Sequence, residues 1–156
     1  MNTEQVKTRL KLHWKNYLWQ SAIATVVLFL ALRFLTMREI VIISSIAATA
    51  FIVFCTPSSP LAKPRNVIGA HLLGLLTGSL VVLIPQLPTT VGYSFAVGLN
   101  IFLMLVTATV HPPACGTALG IAISGINVEA VVAILVSTTT LSLGRFLLRK
   151  YLKDLL

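Results

Sequence analysis

Long apolar blocks, separated by short charged or proline-rich segments, dominate the pattern of the chain. Two charge-free blocks cover residues 40–62 and 66–128. A helix needs about 20 apolar residues to cross a bilayer, so the second block must hold about three passes. It contains two breaks, at residues 85–90 and 111–113, because proline removes a backbone donor and disfavours helix in the residue before it. The pattern therefore predicts several membrane helices.

Six helical segments follow from these blocks and breaks. They cover residues 17–35, 40–55, 66–84, 91–110, 114–126 and 128–148. The fifth reaches only about 20 Å at 1.5 Å per residue, so it either starts inside the membrane or forms a re-entrant half helix. The predicted fold is all-α, a polytopic transmembrane helical bundle with about four to six membrane helices. A four-span arrangement with two re-entrant proline motifs fits the same pattern.

Composition excludes an ordinary soluble domain. Of the 156 residues, 56% are hydrophobic and 10% are charged, against about a quarter charged in soluble domains. Lys and Arg number 12, Asp and Glu number 4, and the formal net charge is +8. The basic residues lie outside the apolar blocks, which is typical of membrane topology signals. We therefore expect membrane lipids, and no nucleic acid, as partners.

The basic residues also predict the orientation of the chain, since Lys and Arg favour the cytoplasmic side of a membrane. One group precedes the first span, one lies between the second and third spans, and one follows the last. These groups comprise Lys7, Arg9, Lys11, Lys15, Lys63, Arg65, Arg145, Arg149, Lys150 and Lys153. Both termini are expected in the cytoplasm, with the chain in a bacterial inner membrane.

The chain divides into three predicted regions: a basic amphipathic N-terminal segment at residues 1–16, a transmembrane domain at 17–148, and a basic cytoplasmic tail at 149–156. In the first region Val6, Leu10 and Trp14 share one helical face. That face suits a helix lying on anionic headgroups. A basic tail that only enforces topology explains the same residues equally well.

Two segments share one arrangement: a span, a proline-rich break, and a helix with small residues four apart. The first break, at residues 57–66, precedes Gly74 and Gly78, and the second, at residues 111–113, precedes Gly116 and Gly120. Small residues at this spacing let helix backbones approach closely in lipid. Both breaks fall on the same side in the predicted topology, so the two hairpins would form a parallel repeat.

Non-helical backbone at membrane depth is tolerated where it is buried in protein or lines a watery cavity, so the breaks indicate a cavity. Helices that begin at the breaks are expected to point the free amides of residues 65–67 and 114–117 into it. Free amides at helix starts favour anions. Within the apolar blocks the only acidic residue is Glu129, at a boundary. We therefore expect no metal, no cofactor and no cation site.

Polar residues at the two breaks are the candidate substrate-binding residues. His111 can donate to an anion or carry a proton, or it can fix the turn by bonding a carbonyl. His71 can serve the path or join two helices. Arg65 can hold a two-oxygen anion, whereas Asn66 is expected to cap its helix. The full predicted set is His111, Arg65, Asn66, His71, Thr109, Ala114, Cys115, Gly116 and Thr117.

Two motifs carry a family resemblance. The segment Ser59-Pro60-Leu61-Ala62-Lys63-Pro64-Arg65-Asn66-Val67-Ile68-Gly69-Ala70-His71, followed by His111-Pro112-Pro113-Ala114, resembles the HPP family of small integral membrane proteins. The resemblance implies about four membrane helices and, because members in cyanobacteria and chloroplasts are implicated in nitrite transport, nitrite as substrate. Members often read Pro-Pro-Ala-Gly-Ala, whereas this chain has Ala114-Cys115-Gly116 after the prolines.

The expected function is transport, by a carrier or a channel, of a small monovalent anion, with nitrite the expected substrate. The chain has no phosphate-binding loop, so energy would come from a gradient or another subunit. It has no zinc motif, nucleophile elbow or acid–base pair, so we expect no enzyme. The alternative is a non-transporting membrane subunit or scaffold. A homo-oligomer is expected in either case.

Overall fold

The structure is a computed structural model that describes residues 3–33 and 40–155. Its helices are α1 (Thr3–Arg33), α2 (Ile40–Cys55), α3 (Pro64–Val82), α4 (Thr89–Val106), α5 (Ala114–Ser124) and α6 (Val128–Leu148), with a 3₁₀ turn at Pro60–Ala62. These ranges contain no strand, which confirms the all-α helical bundle. Three of the described helices, α3, α4 and α6, are long and apolar enough to cross a membrane.

The sequence placed α2 and α6 correctly, and it misplaced several other helix ends. Helix α3 begins two residues before the predicted position, because Pro64 occupies its first turn, where the missing N–H is harmless. Helix α4 ends at Val106, before the predicted residue 110. Helix α5 ends at Ser124, where Gly125 has a φ of 81°. The prediction of residues 34–35 as helix lies outside the described residues.

The first helix is longer than predicted. We expected a span from residue 17 and a separate segment before it, whereas α1 runs without interruption from Thr3 to Arg33. No proline or glycine interrupts this stretch, so nothing stops the helix. The described side chains before Gln20 are exposed or half-buried, and Gln20 is buried. The first half of α1 therefore extends beyond the bundle. The side chains of Val6 and Leu10 lie outside the described part.

Helix α5 packs most extensively against α3 at positions where glycine lets the backbones meet. A Cβ added to Gly74 would lie 2.7 Å from the Ala114 carbonyl oxygen, and one added to Gly78 would lie 2.6 Å from that of Ala118. From the first of these contacts to the second, the residue number increases on both helices, so α3 and α5 run parallel. Helix α5 begins level with Gly74, about 15 Å from the start of α3 at 1.5 Å per residue. It thus starts inside the bundle, as its short length indicates.

The other face of α5 packs against α2. A Cβ on Gly116 would lie 3.0 Å from the Ser45 Cβ, and one on Gly120 would lie 2.6 Å from Ile42 Cγ1. From the first of these contacts to the second, the residue number increases on α5 and decreases on α2, so the two helices are antiparallel. The glycine spacing therefore predicted close helix contacts correctly, and the two break-containing hairpins run in the same direction.

The segment after α6 folds back onto the bundle. Leu152 is buried, and the Leu155 amide donates to the Cys55 carbonyl across 2.9 Å. The Gln20 side chain bonds both the N–H and the carbonyl of Lys153, and it also donates to the carbonyl of Phe54. The tail is therefore packed against the end of α2. We call this end of the bundle, where α2 ends and α3 begins, the break end.

Large apolar side chains cover the outer helix surfaces. Exposed examples are Phe29, Phe51, Phe95, Phe102 and Phe146. Exposing so much apolar surface to water would be energetically unfavourable, whereas contact with lipid tails is not. The outer surface is thus that of a membrane protein, and its polar chemistry lies inside or at the ends.

Candidate functional site

The first break, residues 56–63, is a turn at the surface of the break end. The Ser59 hydroxyl accepts from the Leu61 amide across 3.2 Å and caps the 3₁₀ turn. The Lys63 amide donates to the Pro60 carbonyl across 3.2 Å and closes the turn. Proline at the first position of α3 then starts the helix. These local bonds close the turn, and α6 and the tail complete it: Arg145 donates to the Pro57 carbonyl across 3.0 Å, and the Ser58 amide donates to Asp154 Oδ1 across 3.0 Å.

The second break, residues 107–113, turns back into the bundle. The Ala108 amide donates to the Leu105 carbonyl, and the Thr109 amide donates to that of Met104. This pair of bonds is a Schellman motif, in which the residue after the helix cap takes a positive φ and is usually glycine. Ala108 occupies that position with a φ of 52°. The motif ends α4 early and directs the chain inward.

Three side chains join the second break to the first break and to the start of α3. The Asn66 side-chain amide donates to the Pro60 and Val110 carbonyls, across 3.1 Å and 3.3 Å. The Arg65 guanidinium donates to the Thr107 carbonyl across 3.2 Å. His111 Nδ1 donates to the Leu61 carbonyl across 2.8 Å. The inward-turning chain thus finds its partners on the first break.

A row of buried polar side chains lies behind these contacts. Thr49 Oγ1 lies 2.9 Å from His71 Nε2 and 3.0 Å from His111 Nε2. His71 Nδ1 lies 2.7 Å from Thr117 Oγ1, which lies 3.1 Å from the Ser45 hydroxyl. The two imidazole ring centroids are 5.4 Å apart. We call Ser45, Thr117, His71, Thr49 and His111 the histidine row; each is at most 4% exposed.

Helix geometry places these five side chains together. Ser45 and Thr49 are four residues apart on α2, so they share the face that packs against α5. His71 lies two turns into α3, level with the first turn of α5 that carries Thr117. His111 is carried inward by the second break. Four segments, distant in sequence, therefore contribute to one polar row.

The predicted site residues separate into three groups. His71, His111 and Thr117 meet in the histidine row. Arg65 and Asn66 lie at the contacts between the breaks, and Thr109 packs against Gly69 at the same level. The remaining predicted residues, Ala114, Cys115 and Gly116, form the first turn of α5 and mostly pack against neighbouring helices.

Two expectations about helix starts are wrong. The amides of Ala114, Cys115 and Gly116, expected to be free, donate to the carbonyls of residues 111, 112 and 113 at 2.9–3.0 Å. The Asn66 and Val67 amides donate to the Lys63 carbonyl. Each helix begins directly from a turn, so the turn's own carbonyls reach its first amides. Asn66 was also expected to cap α3, whereas the cap position is Lys63.

Ser45 and Thr49 were missed by the sequence reasoning. Both lie in a strongly apolar stretch of α2, where hydroxyl groups commonly bond carbonyls of their own helix. The available signal was their four-residue spacing, which places both on one face. That spacing does not identify the helix that the face contacts, so histidine partners could not be inferred from it.

A second polar group lies on the other side of α5. The Asn100 amide on α4 is fully buried and faces the Cys115 thiol, and it has no further hydrogen-bond partner among the described residues.

At the opposite end of the bundle, a cavity of about 290 Å³ lies between the ends of α3 and α5 and the start of α4. Tyr93, Gly92 and Ser124 line it, and none of the predicted site residues does.

Among the described residues, no acidic side chain belongs to the histidine row or its contacts. Of the described acidic residues, Glu4 lies on the exposed part of α1, Glu129 in the exposed first turn of α6, and Asp154 in the tail. Within residues 3–33 and 40–155, no three His, Cys, Asp or Glu side chains come together as metal ligands would. The site offers hydroxyl and imidazole groups, which can donate to an anion.

The apolar outer surface, the bundle and the broken helix that enters it define a helical membrane protein with an interior polar site. A family model described as "HPP, transmembrane region" matches residues 9–152. The chain belongs to this HPP transmembrane family. No solved structure matches it.

Two curated relatives are both described as transmembrane proteins of Dictyostelium discoideum. One is 43% identical over 82 residues, which is 51% of this chain and 29% of that protein. The other is 36% identical over 85 residues, which is 53% of this chain and 27% of that protein. The chain therefore spans less than a third of the length of the curated relatives it matches.

Proposed function

We propose that this protein transports a small monovalent anion, with nitrite as the expected substrate, through the region where the two breaks meet. The observation that carries the proposal is the convergence of two proline breaks on a buried site that contains two histidines and no described carboxylate. Imidazole and hydroxyl groups can donate to an anion, and a carboxylate would repel it. A hydrated cation would find none of the negatively charged carboxylate oxygens that usually bind cations among the described residues of this site.

The contacts between the breaks act as the closed gate of this path. Asn66, Arg65 and His111 each donate to a carbonyl that a neighbouring anion could replace as acceptor. A charged acceptor binds such donors more strongly than a neutral carbonyl does. Anion binding therefore favours separation of the second break from the first, and the path opens when these bonds exchange.

Charge at the break end supports the direction of approach. Lys63 and Arg65 are exposed beside the first break, and Arg149, Lys150 and Lys153 are exposed nearby at the end of α6 and in the tail. Anions are attracted to such a surface. The same residues favour a cytoplasmic position for the break end, and with it for both termini, in a bacterial inner membrane. The homo-oligomer remains a prediction that a mass measurement in detergent can test.

Uptake into proteoliposomes tests the proposal. Purified protein is reconstituted, and uptake of nitrite, nitrate, formate and chloride is measured for wild type, His111→Ala and Arg65→Ala. We expect nitrite uptake by wild type, about tenfold or greater loss in His111→Ala, and a higher nitrite concentration for half-maximal rate in Arg65→Ala. The matched controls are His13→Ala and Lys11→Ala, which change exposed residues in the first half of α1, away from both breaks.

One observation favours the alternative function, that of a non-transporting membrane subunit. Nearly every polar group at the breaks is already hydrogen-bonded, which a purely structural role would require. Well-folded wild type that moves none of the four anions would support this alternative and contradict transport. Size-exclusion profiles and melting temperatures of each variant separate loss of function from loss of fold.

A further inference from the structure

Two carbonyl groups fix the hydrogens at the ends of the histidine row. A carbonyl oxygen can only accept, so His111 Nδ1 carries a hydrogen and donates to Leu61 across 2.8 Å. For the same reason the Ser45 hydroxyl donates to the Pro113 carbonyl across 2.6 Å. When His111 is neutral, its Nε2 is therefore an acceptor. These two fixed ends limit how the hydrogens in the interior of the row can be arranged.

With both histidines neutral, Thr49, His71 and Thr117 supply three hydrogens for four interior contacts, so one contact lacks a hydrogen. We consider the arrangement in which the empty contact lies at the Ser45–Thr117 end. Thr49 donates to His111 Nε2 and accepts from His71 Nε2, so His71 Nδ1 accepts from Thr117. The Ser45 hydroxyl then donates to the Pro113 carbonyl, and the Thr117 hydroxyl donates to His71 Nδ1. Their oxygens face each other across 3.1 Å with no hydrogen between them. This state has one vacant position for a proton, at the Ser45–Thr117 end.

One added proton reverses the direction of every interior bond. A proton received by Thr117 at the vacant position releases the original Thr117 hydrogen to His71 Nδ1. His71 then passes its Nε2 hydrogen to Thr49, and Thr49 passes its own to His111 Nε2. The final state has one more proton and one more positive charge, both on His111. Thr117 then donates to Ser45, so no contact in the row lacks a hydrogen.

We infer that the histidine row conducts a single proton between its Ser45–Thr117 end and His111, and that the protein carries its anion together with this proton. This inference rests on the proposed function and adds the co-transported ion to it. Thr49 is the connecting residue, because its hydroxyl alone contacts both Nε2 atoms. Its hydroxyl also lies 3.0 Å from the Ser45 carbonyl, which accepts its hydrogen when both rings donate to Thr49.

The surroundings leave the two histidines as the only titrating groups in direct contact with the row among the described residues. Each ring faces the other, Thr49 on α2 lies between them, Thr117 approaches from α5, and the Leu61 carbonyl approaches from the 3₁₀ turn. The charged or titratable side chains on the elements that pack around the row face other groups. Arg65 bonds the Thr107 carbonyl and Arg145 bonds the Pro57 carbonyl. Cys115 faces Asn100, Tyr93 lines the cavity at the opposite end, and Lys63 and Glu129 are exposed.

Charge balance explains why the proton and the anion travel together. A monovalent anion alone in a buried, apolar bundle is strongly unfavourable, and so is an imidazolium alone. Protonated His111 lies at the second break, where the proposed path passes, so the two charges compensate each other. The pair crosses without net charge. Uptake should therefore follow a pH gradient and should respond weakly to membrane potential.

The test measures proton and anion uptake in the same proteoliposomes, using a trapped pH-sensitive dye and an assay for internal nitrite. We expect wild type to take up about one proton per nitrite. Thr49→Val removes the connecting hydroxyl at nearly constant shape and should lower proton-coupled uptake about tenfold or more. Thr49→Ser keeps the hydroxyl and should stay within about twofold of wild type.

The matched control is Thr138→Val. Thr138 is equally buried, but its hydroxyl donates within α6 to the Ile134 carbonyl, so its removal should leave coupling unchanged. Thr117→Val provides a second interruption of the row if Thr49→Val fails to fold. Nitrite uptake by wild type without proton uptake, or coupled uptake that persists in Thr49→Val, would overturn the relay and leave anion transport standing. Absence of any anion uptake by wild type would instead contradict the proposed function.

Discussion

The two proline breaks use similar residues and produce different structures. The first break is a turn at the end of the bundle, where local bonds involving Ser59, Pro60 and Lys63 close the 3₁₀ turn and Arg145 and Asp154 bond the residues before it. The second enters the bundle, and it depends on Asn66, Arg65 and the Leu61 carbonyl for partners. The break at the surface therefore closes its own turn and adds contacts to α6 and the tail, whereas the break at depth takes its side-chain partners from a second segment. The first break serves as that segment.

The depth of the second break depends on how closely α5 fits against α3. Gly78→Ala should destabilise the protein by about 2–3 kcal/mol, because the new Cβ would lie 2.6 Å from the Ala118 carbonyl oxygen. Thermal unfolding of purified protein in detergent measures this. Gly98→Ala makes the same change where nothing lies within 4 Å, and it should be neutral or slightly stabilising. Equal melting temperatures for the two variants would contradict the close fit.

The bonds between the breaks can be removed by changing one amide. Asn66→Asp should cost about 1–3 kcal/mol, since a carboxylate cannot donate to the Pro60 and Val110 carbonyls that Asn66 now joins. Gln86→Glu makes the equivalent change in an exposed turn and should shift stability by less than about 0.5 kcal/mol. Denaturant unfolding of the two variants provides the measurement. If Asn66→Asp matches its control, the breaks are not joined as described.

The turn that starts the second break is sensitive to a single methyl group. Ala108→Gly should stabilise the protein by up to about 1 kcal/mol, because glycine adopts the positive φ of this position without strain. Ala48→Gly, at an exposed site within α2, should instead destabilise by about 0.5–1 kcal/mol. Opposite signs of the melting-temperature change are expected. The same sign for both would show that Ala108 does not hold this conformation in the protein.

The Arg65 contact should contribute least to stability. Its guanidinium is exposed and makes one 3.2 Å bond, so Arg65→Gln should change the unfolding free energy by less than about 0.5 kcal/mol. Arg149→Gln, another exposed arginine change at the break end, should give a similarly small value. A loss above about 1 kcal/mol specific to Arg65 would mean that it holds the breaks together rather than attracting anions to them.

The sequence predicted the parts of the fold that depend on local chemistry. Prolines marked both breaks, the length of the fifth segment placed its start inside the bundle, and the four-residue spacing of Gly74 and Gly78 marked a close helix contact. It did not predict the uninterrupted α1, since basic residues before residue 17 change solubility and do not stop a helix.

The candidate site was only half predictable for a related reason. His71 and His111 were recognisable because histidine is rare in apolar blocks. Thr49 connects them, but a hydroxyl in a helix usually bonds its own backbone, and its further contacts depend on which helices become neighbours. The amides at the start of α5 were expected to be free because capping was considered without the turn that precedes the helix. Long-range packing decided both outcomes.

The contact between Gln20 and Lys153 has a consequence for the order in which the protein is built. Gln20 belongs to α1, whereas residues 153–155 are synthesised after every described helix. Until then the Gln20 side chain can donate to the Phe54 carbonyl but lacks its two bonds to Lys153, and the Cys55 carbonyl lacks the Leu155 amide. Closure of the break end must therefore wait for the synthesis of residues 153–155, and a chain released before Lys153 would present an open break end to quality-control proteases.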